Sequence, residues 1–278
     1  MSQITAAAVA RLREMTSVGM MDCKKALTEA KGDLSAAVDI LRKKGRATAA
    51  VKSVREAKEG SITQYIAPGG KLGVLVEVNS ESDFVARNEL FRAFCEEAAK
   101  RLAADANASL ETEREALVAK IRENIKIARY ARMEVNGNGL IAGYIHTGAK
   151  VGVLVEVGAG RSETAAKEEF KQLVKDITLQ IAAGHPHVVS REQVPANVVA
   201  KEKEIAAEQA KNKPPQAIAK IVEGKLEKFY QAYCLVDQGF VKRNSEVSLK
   251  EHAAQIAKQL GDEVTIRRFV RFQVGESA

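Results

Sequence analysis

Apolar residues recur along this chain at two spacings, and the change from one to the other divides it into modules. Ile4, Ala8, Leu12 and Met15 fall on one helical stripe, which Thr16-Ser17-Val18-Gly19 interrupts. A second helix is predicted from about Met21 to Ala30, stopped by Lys31-Gly32. A third starts at the capping residue Asp33, turns Leu34, Ala37, Val38 and Leu41 inward, and has Gly45 as its stop. Residues 1–45 therefore predict a compact three-helix bundle. Met20 and Met21 follow the turn at Gly19, where a flexible thioether either fills a core or meets a partner, and the pattern predicts one inside and one exposed. Residues 46–59, Ala-rich and basic with Lys52, Arg55 and Lys58, read as a helix or tether.

From Gly60 the spacing becomes that of strands, and the pattern occurs twice. Residues 60–104 align without a gap onto 139–183 at an offset of 79, GSITQYIAPGGKLGVLVEV over GLIAGYIHTGAKVGVLVEV, with identity at 17 of 45 positions. Each copy predicts strand, Gly-containing turn, strand, polar break, and a helix carrying Glu89 and Phe91 or Glu168 and Phe170. Between the copies, TEREALVAKIRENIKIARYARM places Leu117, Ile121, Ile125 and Ala128 at helical spacing, predicting a connecting helix. Residues 188–229 predict two helices broken at Pro214-Pro215, with Ile218, Ile221, Val222 and Leu226 as a thin stripe on the second. A last helix, SLKEHAAQIAKQLG, and a strand, EVTIRRFVRFQV, follow. The expected class is α+β: bundle 1–45, linker 46–59, core subdomain 60–138, its duplicate in 139–187 and 230–278 with antiparallel sheets in both, and the helical hairpin 188–229 inserted in the second.

The repeat acts as an internal control. Val74 with Val153, and Leu75 with Leu154, are shared for packing, whereas positions that differ need another reason. After the second strand, Asn79-Ser80-Glu81-Ser82-Asp83-Phe84 stands against Gly158-Ala159-Gly160-Arg161-Ser162-Glu163. Phe84 thus falls opposite a glutamate, a residue seldom buried without a partner. Either Phe84 points outward, with Asp83 capping the next helix, VARNELFRAF, or it bends back beneath that helix; both readings stand. At the hairpin turn His146 replaces Ala67, and it is the one histidine in the repeated scaffold.

Composition narrows the function. No window approaches 18 consecutive apolar residues, so no membrane span is expected, and the N-terminus lacks an export signal, so a cytoplasmic protein is expected. Cys23, Cys95 and Cys234 are odd in number and far apart, predicting packed, reduced thiols. The formal charge of +7 permits an anionic partner, but charges of both signs mix along the helices and aromatics are 5%, so nucleic acid is not expected. There is no G-x-x-x-x-G-K-[ST], NGNGLIAG follows a stretch read as helix, and His185-Pro186-His187 has no Cys or carboxylate at metal spacing; no cofactor or metal is expected.

RLREMTSVGMMDCKKALTEAKGDLSAAVDILRKKG resembles the N-terminal ubiquitin-associated-like bundle of the bacterial translation elongation factor Ts family. VNSESDFVARNELF resembles that family's Thr-Asp-Phe-Val segment, and the duplicated YI-x-x-G-x-K-x-GVLVEV and the hairpin also look like it. The resemblance covers nearly the whole chain. It implies a non-enzymatic guanine-nucleotide exchange factor of elongation factor Tu, whose Asp-Phe pair enters the GTPase near its magnesium and nucleotide. Carried over, the inserting segment is Ser82, Asp83, Phe84 and Val85, with Ser82 where the family often has Thr. Arg13, Met20, Met21 and Lys24 match the surface that docks on a helix of the GTPase, which favours exposure of both methionines. Ile125, His146 and Tyr233 match further contacts, and the hairpin is linked to self-association or auxiliary contacts. The sequence ends at Ala278 without the extra C-terminal helix that some members place on the GTPase. Two other classes stay open: an interaction adaptor, which would not need the Asp-Phe-Val loop, and an RNA-binding protein, whose affinity would fall steeply with salt.

Overall fold

The structure, a computed structural model, describes residues 4–276. In chain order the helices are α1 (Ala6–Thr16), α2 (Met20–Glu29) and α3 (Leu34–Lys52), followed by strands β1 (Glu59–Ile66) and β2 (Leu72–Ser80). Then come α4 (Asp83–Ala86), α5 (Glu89–Ala104), α6 (Glu111–Ile121) and β3 (Ile125–Glu134). The second copy is β4 (Gly139–Ile145), β5 (Val151–Ala159), α7 (Ser162–Ala166) and α8 (Glu168–Gly184). The hairpin, α9 (Ala196–Ala210) and α10 (Pro215–Tyr233), precedes α11 (Leu249–Leu260) and β6 (Val264–Gln273). Two three-stranded sheets result, ordered β1-β2-β3 and β4-β5-β6. The class is α+β. The chain divides into two compact units: the residues up to Thr63, Val76–Tyr130 and the C-terminal residues from Gln273, and Gln64–Leu75 with Ala131–Phe272.

In the first unit, α1 begins where the Thr5 hydroxyl accepts from the Ala8 N–H at 3.2 Å and ends on Ser17 in the left-handed region, φ 54°. The bundle core is Val9, Leu12, Cys23, Ala26, Leu27, Ala37 and Leu41. Met15 is not part of it, being 61% exposed, whereas Val9, which the stripe did not include, is buried. Gly45 does not stop the third helix either. Asp33 caps α3 as expected, accepting from Ala36 N–H at 2.9 Å, but the helix runs on to Lys52, so half of the supposed tether is helical. Gly45 lies in its middle because a Cβ there would stand 3.3 Å from the Ala119 Cβ on α6, and glycine lets the two helices approach.

The expected connecting helix is also shorter than its apolar spacing suggests. α6 ends at Arg122, φ 66°, and Ile125 opens β3 instead of a further helical turn. NGNG consequently follows a strand, contrary to expectation, yet it leads into strand β4 and not a helix, so the dinucleotide-binding arrangement is still not met.

In the second unit β4 and β5 pair antiparallel from Gly139↔Gly158 to Ile145↔Gly152. Val153, Val155 and Val157 pack with Phe170, Leu173, Val174, Ile177 and Ile181 of α8 and with Leu249 and Leu260 of α11. The two repeats share a further device. Gly60 and Gly139 hold φ of 142° and 149°, and a Cβ at either would lie 2.1 or 2.3 Å from the carbonyl oxygen of Val78 or Val157, which explains why both copies open on glycine. The hairpin forms as expected: α9 buries Ala206 and Ala210 against α10, whose Ile218, Ile221, Val222 and Leu226 stay half-buried.

Candidate functional site

The turn from Ser80 to Asn88 decides the open question about Phe84. Ser82 holds an extended conformation, α4 makes a single turn, and Asn88 starts α5 by accepting from the Leu90 N–H at 2.9 Å. Asn88, not Asp83, is therefore the cap of the long helix: the segment read as one helix is two, and the break between them turns the first outward. Phe84 is 80% exposed, whereas Val85 beside it is 8% exposed and anchors the turn. The duplicate behaves alike, with Glu163 exposed and Thr164 buried on α7. Asp83, at the first turn of α4, pairs with Arg87 at 3.1 Å, a surface contact that contributes little stability.

What fixes this turn comes from far along the chain. Glu123 receives the Ser82 N–H at 2.9 Å through one carboxylate oxygen and the Ser82 hydroxyl at 2.7 Å through the other. The neighbouring Asn124 N–H donates to Glu81 at 2.6 Å, and the Asn124 side chain donates to the Arg55 carbonyl at 2.7 Å. The Asn124 N–H, against the opposing effect of desolvation and with help from Arg55, holds the Glu81 carboxyl below its ordinary range. Arg122 reaches Asp22 of the bundle. Residues 122–124 thus join α2, the Arg55 segment and the Phe84 turn within one unit, and an aromatic ring is presented to solvent on a backbone braced from beneath. Sequence reasoning missed Glu123 and Asn124, whose partners lie some 40 residues or more away; the only signal was two polar residues within a run read as one continuous helix.

The other predicted residues divide into exposed and buried. Arg13 and Lys24 are exposed. Met20 and Met21 are 55% and 65% exposed, so neither fills the bundle core, whose place at that level Cys23 takes. Ile125 is wholly buried and has no surface to offer. In the second unit His146 is exposed on the β4–β5 turn, its Nδ1 3.0 Å from the Tyr144 hydroxyl. Tyr233 is half-buried at the root of the hairpin, stacked on His187 at 4.4 Å between centroids, and its carbonyl receives the His187 N–H at 2.9 Å. That stack accounts for the His185-Pro186-His187 loop as structure. The three cysteines are buried and unbridged; burial pushes the Cys95 thiol up to about 12 and that of Cys234 up to about 11. Among the described residues no group of three or more His, Cys, Asp or Glu side chains is placed to hold a metal ion, and no helix is long and apolar enough to cross a membrane.

Comparison with known proteins adds the following. A family model described as elongation factor TS matches residues 81–276. Elongation factor Ts of Symbiobacterium thermophilum is 44% identical over 285 residues, covering 99% of this chain and 93% of that protein. Elongation factor Ts of Clostridioides difficile is 44% identical over 293 residues, and that of Nostoc sp. is 41% identical over 295, each covering 99% of this chain and 94% of the relative.

Proposed function

Because the chain belongs to the elongation factor Ts family, we propose that it is a guanine-nucleotide exchange factor for elongation factor Tu. In this reading it works by inserting Asp83 and Phe84 near the GTPase's magnesium and nucleotide. The observation that carries the reading is the exposure of Phe84 on a turn whose backbone is held by Glu123. Magnesium bridges and neutralises the phosphates of bound GDP, so displacing the elements that hold the ion lowers GDP affinity with no covalent chemistry. A preformed turn inserts without the entropy cost of ordering a loop at the moment of binding. Arg13, Met20, Met21 and Lys24 on the bundle, and separately His146 and Tyr233 in the second unit, provide further contacts with the GTPase. Ile125, buried at the start of β3, acts through packing, and Ser82 and Val85 act by holding the turn. The bundle, the two repeated subdomains and the hairpin serve as distinct modules of this docking.

Linkage supplies the test. If the factor weakens GDP binding, GDP weakens binding of the factor by the same ratio. Titration calorimetry of the chain into elongation factor Tu is expected to give an affinity that falls steadily as GDP is raised; an affinity independent of GDP would leave an adaptor role in its place.

Glu123 offers a second expectation. Glu123→Ala frees the Ser82 N–H and hydroxyl to water and loosens the turn, leaving the buried Val85 in place. The exchange rate at low factor concentration is expected to fall roughly 3- to 10-fold, less than the full worth of two charge-assisted hydrogen bonds because water replaces Glu123 at this part-buried site. The far-ultraviolet circular dichroism is expected to stay that of the wild type.

A further inference from the structure

The oxidisable side chains of this protein are sorted by burial in an unequal way. All three cysteines are buried, and those of Cys95 and Cys234 are held as thiols by their surroundings, which keeps the reactive thiolate scarce. Met133, in β3, is 5% exposed. Met15, Met20 and Met21, in contrast, are 61%, 55% and 65% exposed. These three lie within seven consecutive residues around one turn, with Met15 in the last helical turn of α1, Met20 and Met21 opening α2, and the left-handed Ser17 between them. None belongs to the bundle core. A thioether needs no deprotonation to react, so exposure alone makes it available to an oxidant.

We propose that Met15, Met20 and Met21 form an oxidant-sensitive modification site, at which hydrogen peroxide converts the α1–α2 turn from an apolar to a polar docking surface and so weakens engagement of the GTPase. The inference rests on the reading that this turn docks on elongation factor Tu. In the reaction a sulfur lone pair attacks one peroxide oxygen, an S–O bond forms as the O–O bond breaks, and the second oxygen leaves as water after proton transfer. The sulfur gives up two electrons and peroxide takes them. The sulfoxide is a strong acceptor on a formerly apolar side chain, and burying it against an apolar partner surface is unfavourable. Because no methionine among the described residues belongs to the bundle core, the modification leaves Val9, Leu12, Cys23 and Leu27 packed. The loss is one of docking, not of fold.

The test treats the full chain alone with hydrogen peroxide, quenches and removes the oxidant, and divides the sample. Peptide mass mapping is expected to find one added oxygen on each of Met15, Met20 and Met21 while Met133 and the cysteines are unchanged; earlier oxidation of Met133 or of a cysteine would overturn the proposal. Acceleration of GDP release from untreated elongation factor Tu, at low factor concentration, is expected to fall about ten-fold and to return after methionine sulfoxide reductase. Oxidised methionines with undiminished acceleration would also overturn it. The combined variant Met15→Leu, Met20→Leu and Met21→Leu is expected to keep a treated-to-untreated ratio near one, whatever its own starting rate. If untreated wild-type protein does not accelerate release at all, the exchange reading fails, and the proposed weakening fails with it even where the mass map confirms selective oxidation.

Discussion

Phe84→Ala is expected to remove most of the acceleration of GDP release while leaving the chain folded. The ring is 80% exposed, so the free protein gives up little burial when it is truncated. In the proposed complex the same ring would enter an apolar cleft, where burying it contributes roughly 1.5–3 kcal/mol. That contribution is made to the opened GTPase and not to the closed one, so its loss translates into a roughly 10- to 100-fold slower release at equal factor concentration. Thermal unfolding of the variant is expected to match the wild type, which separates this outcome from simple destabilisation. Phe84→Leu, which keeps part of the apolar volume, is expected to fall between the two.

The largest effect on stability is expected at Glu156. It is 1% exposed, in the middle strand of its sheet, and its two oxygens meet Arg267 at 3.0 Å and Arg268 at 2.7 Å from β6, as well as the Asn136 N–H at 3.0 Å. Glu77, its counterpart in the other copy, is likewise 1% exposed and meets Arg129 of β3 at 2.8 Å. In each sheet the buried glutamate of the middle strand is neutralised by an arginine of the third. Removing a wholly buried partner costs about 3–5 kcal/mol, but Arg267 and Arg268 remain in contact with water, so Glu156→Ala is expected to cost about 2–3 kcal/mol. Thermal unfolding would then fall by roughly 4–12 °C.

The same residue predicts a pH dependence. Burial opposes the charge on Glu156, yet the Asn136 N–H and the two guanidinium groups outweigh it and hold the carboxyl below its ordinary 4.5. A carboxyl lowered on folding stabilises the fold above its unfolded value and loses that contribution as pH drops through the folded one. The gap between wild type and Glu156→Ala is therefore expected to be constant near neutrality and to narrow below about pH 4. A gap that persists unchanged into acid would show that packing, not charge, gives Glu156 its weight.

These two residues also show what could be read from the chain. The Phe84 turn was only half legible: the sequence contains its own comparison, and the glutamate at the matching position raises an outward-facing reading beside a buried one, but only the structure, in which both copies turn outward there, chooses between them. The hairpins were legible because alternation and turn glycines are local. Glu156 and Glu77 were not, since each reads as a polar residue near the end of an apolar run, and only the arginine on a strand more than 50 residues away makes burial tolerable. The same remoteness hid β3. Leu117, Ile121 and Ile125 continue a spacing of four across the point where Arg122 adopts φ 66°, and Arg129 interrupts the alternation that would otherwise have marked a strand. Gly45 was read as a stop because the Ala119 that requires a small neighbour lies 74 residues on. Glu123, which braces the Phe84 turn, belongs with these: its contact exists only once α6 has returned to Ser82.

The central claim is that this chain opens the nucleotide site of elongation factor Tu. It is tested most directly by stopped-flow release of a fluorescent GDP from that GTPase at rising concentrations of the wild-type chain. The account predicts a release rate that climbs with factor concentration to a plateau far above the spontaneous rate. A release rate that stays at the spontaneous value at every concentration would contradict it.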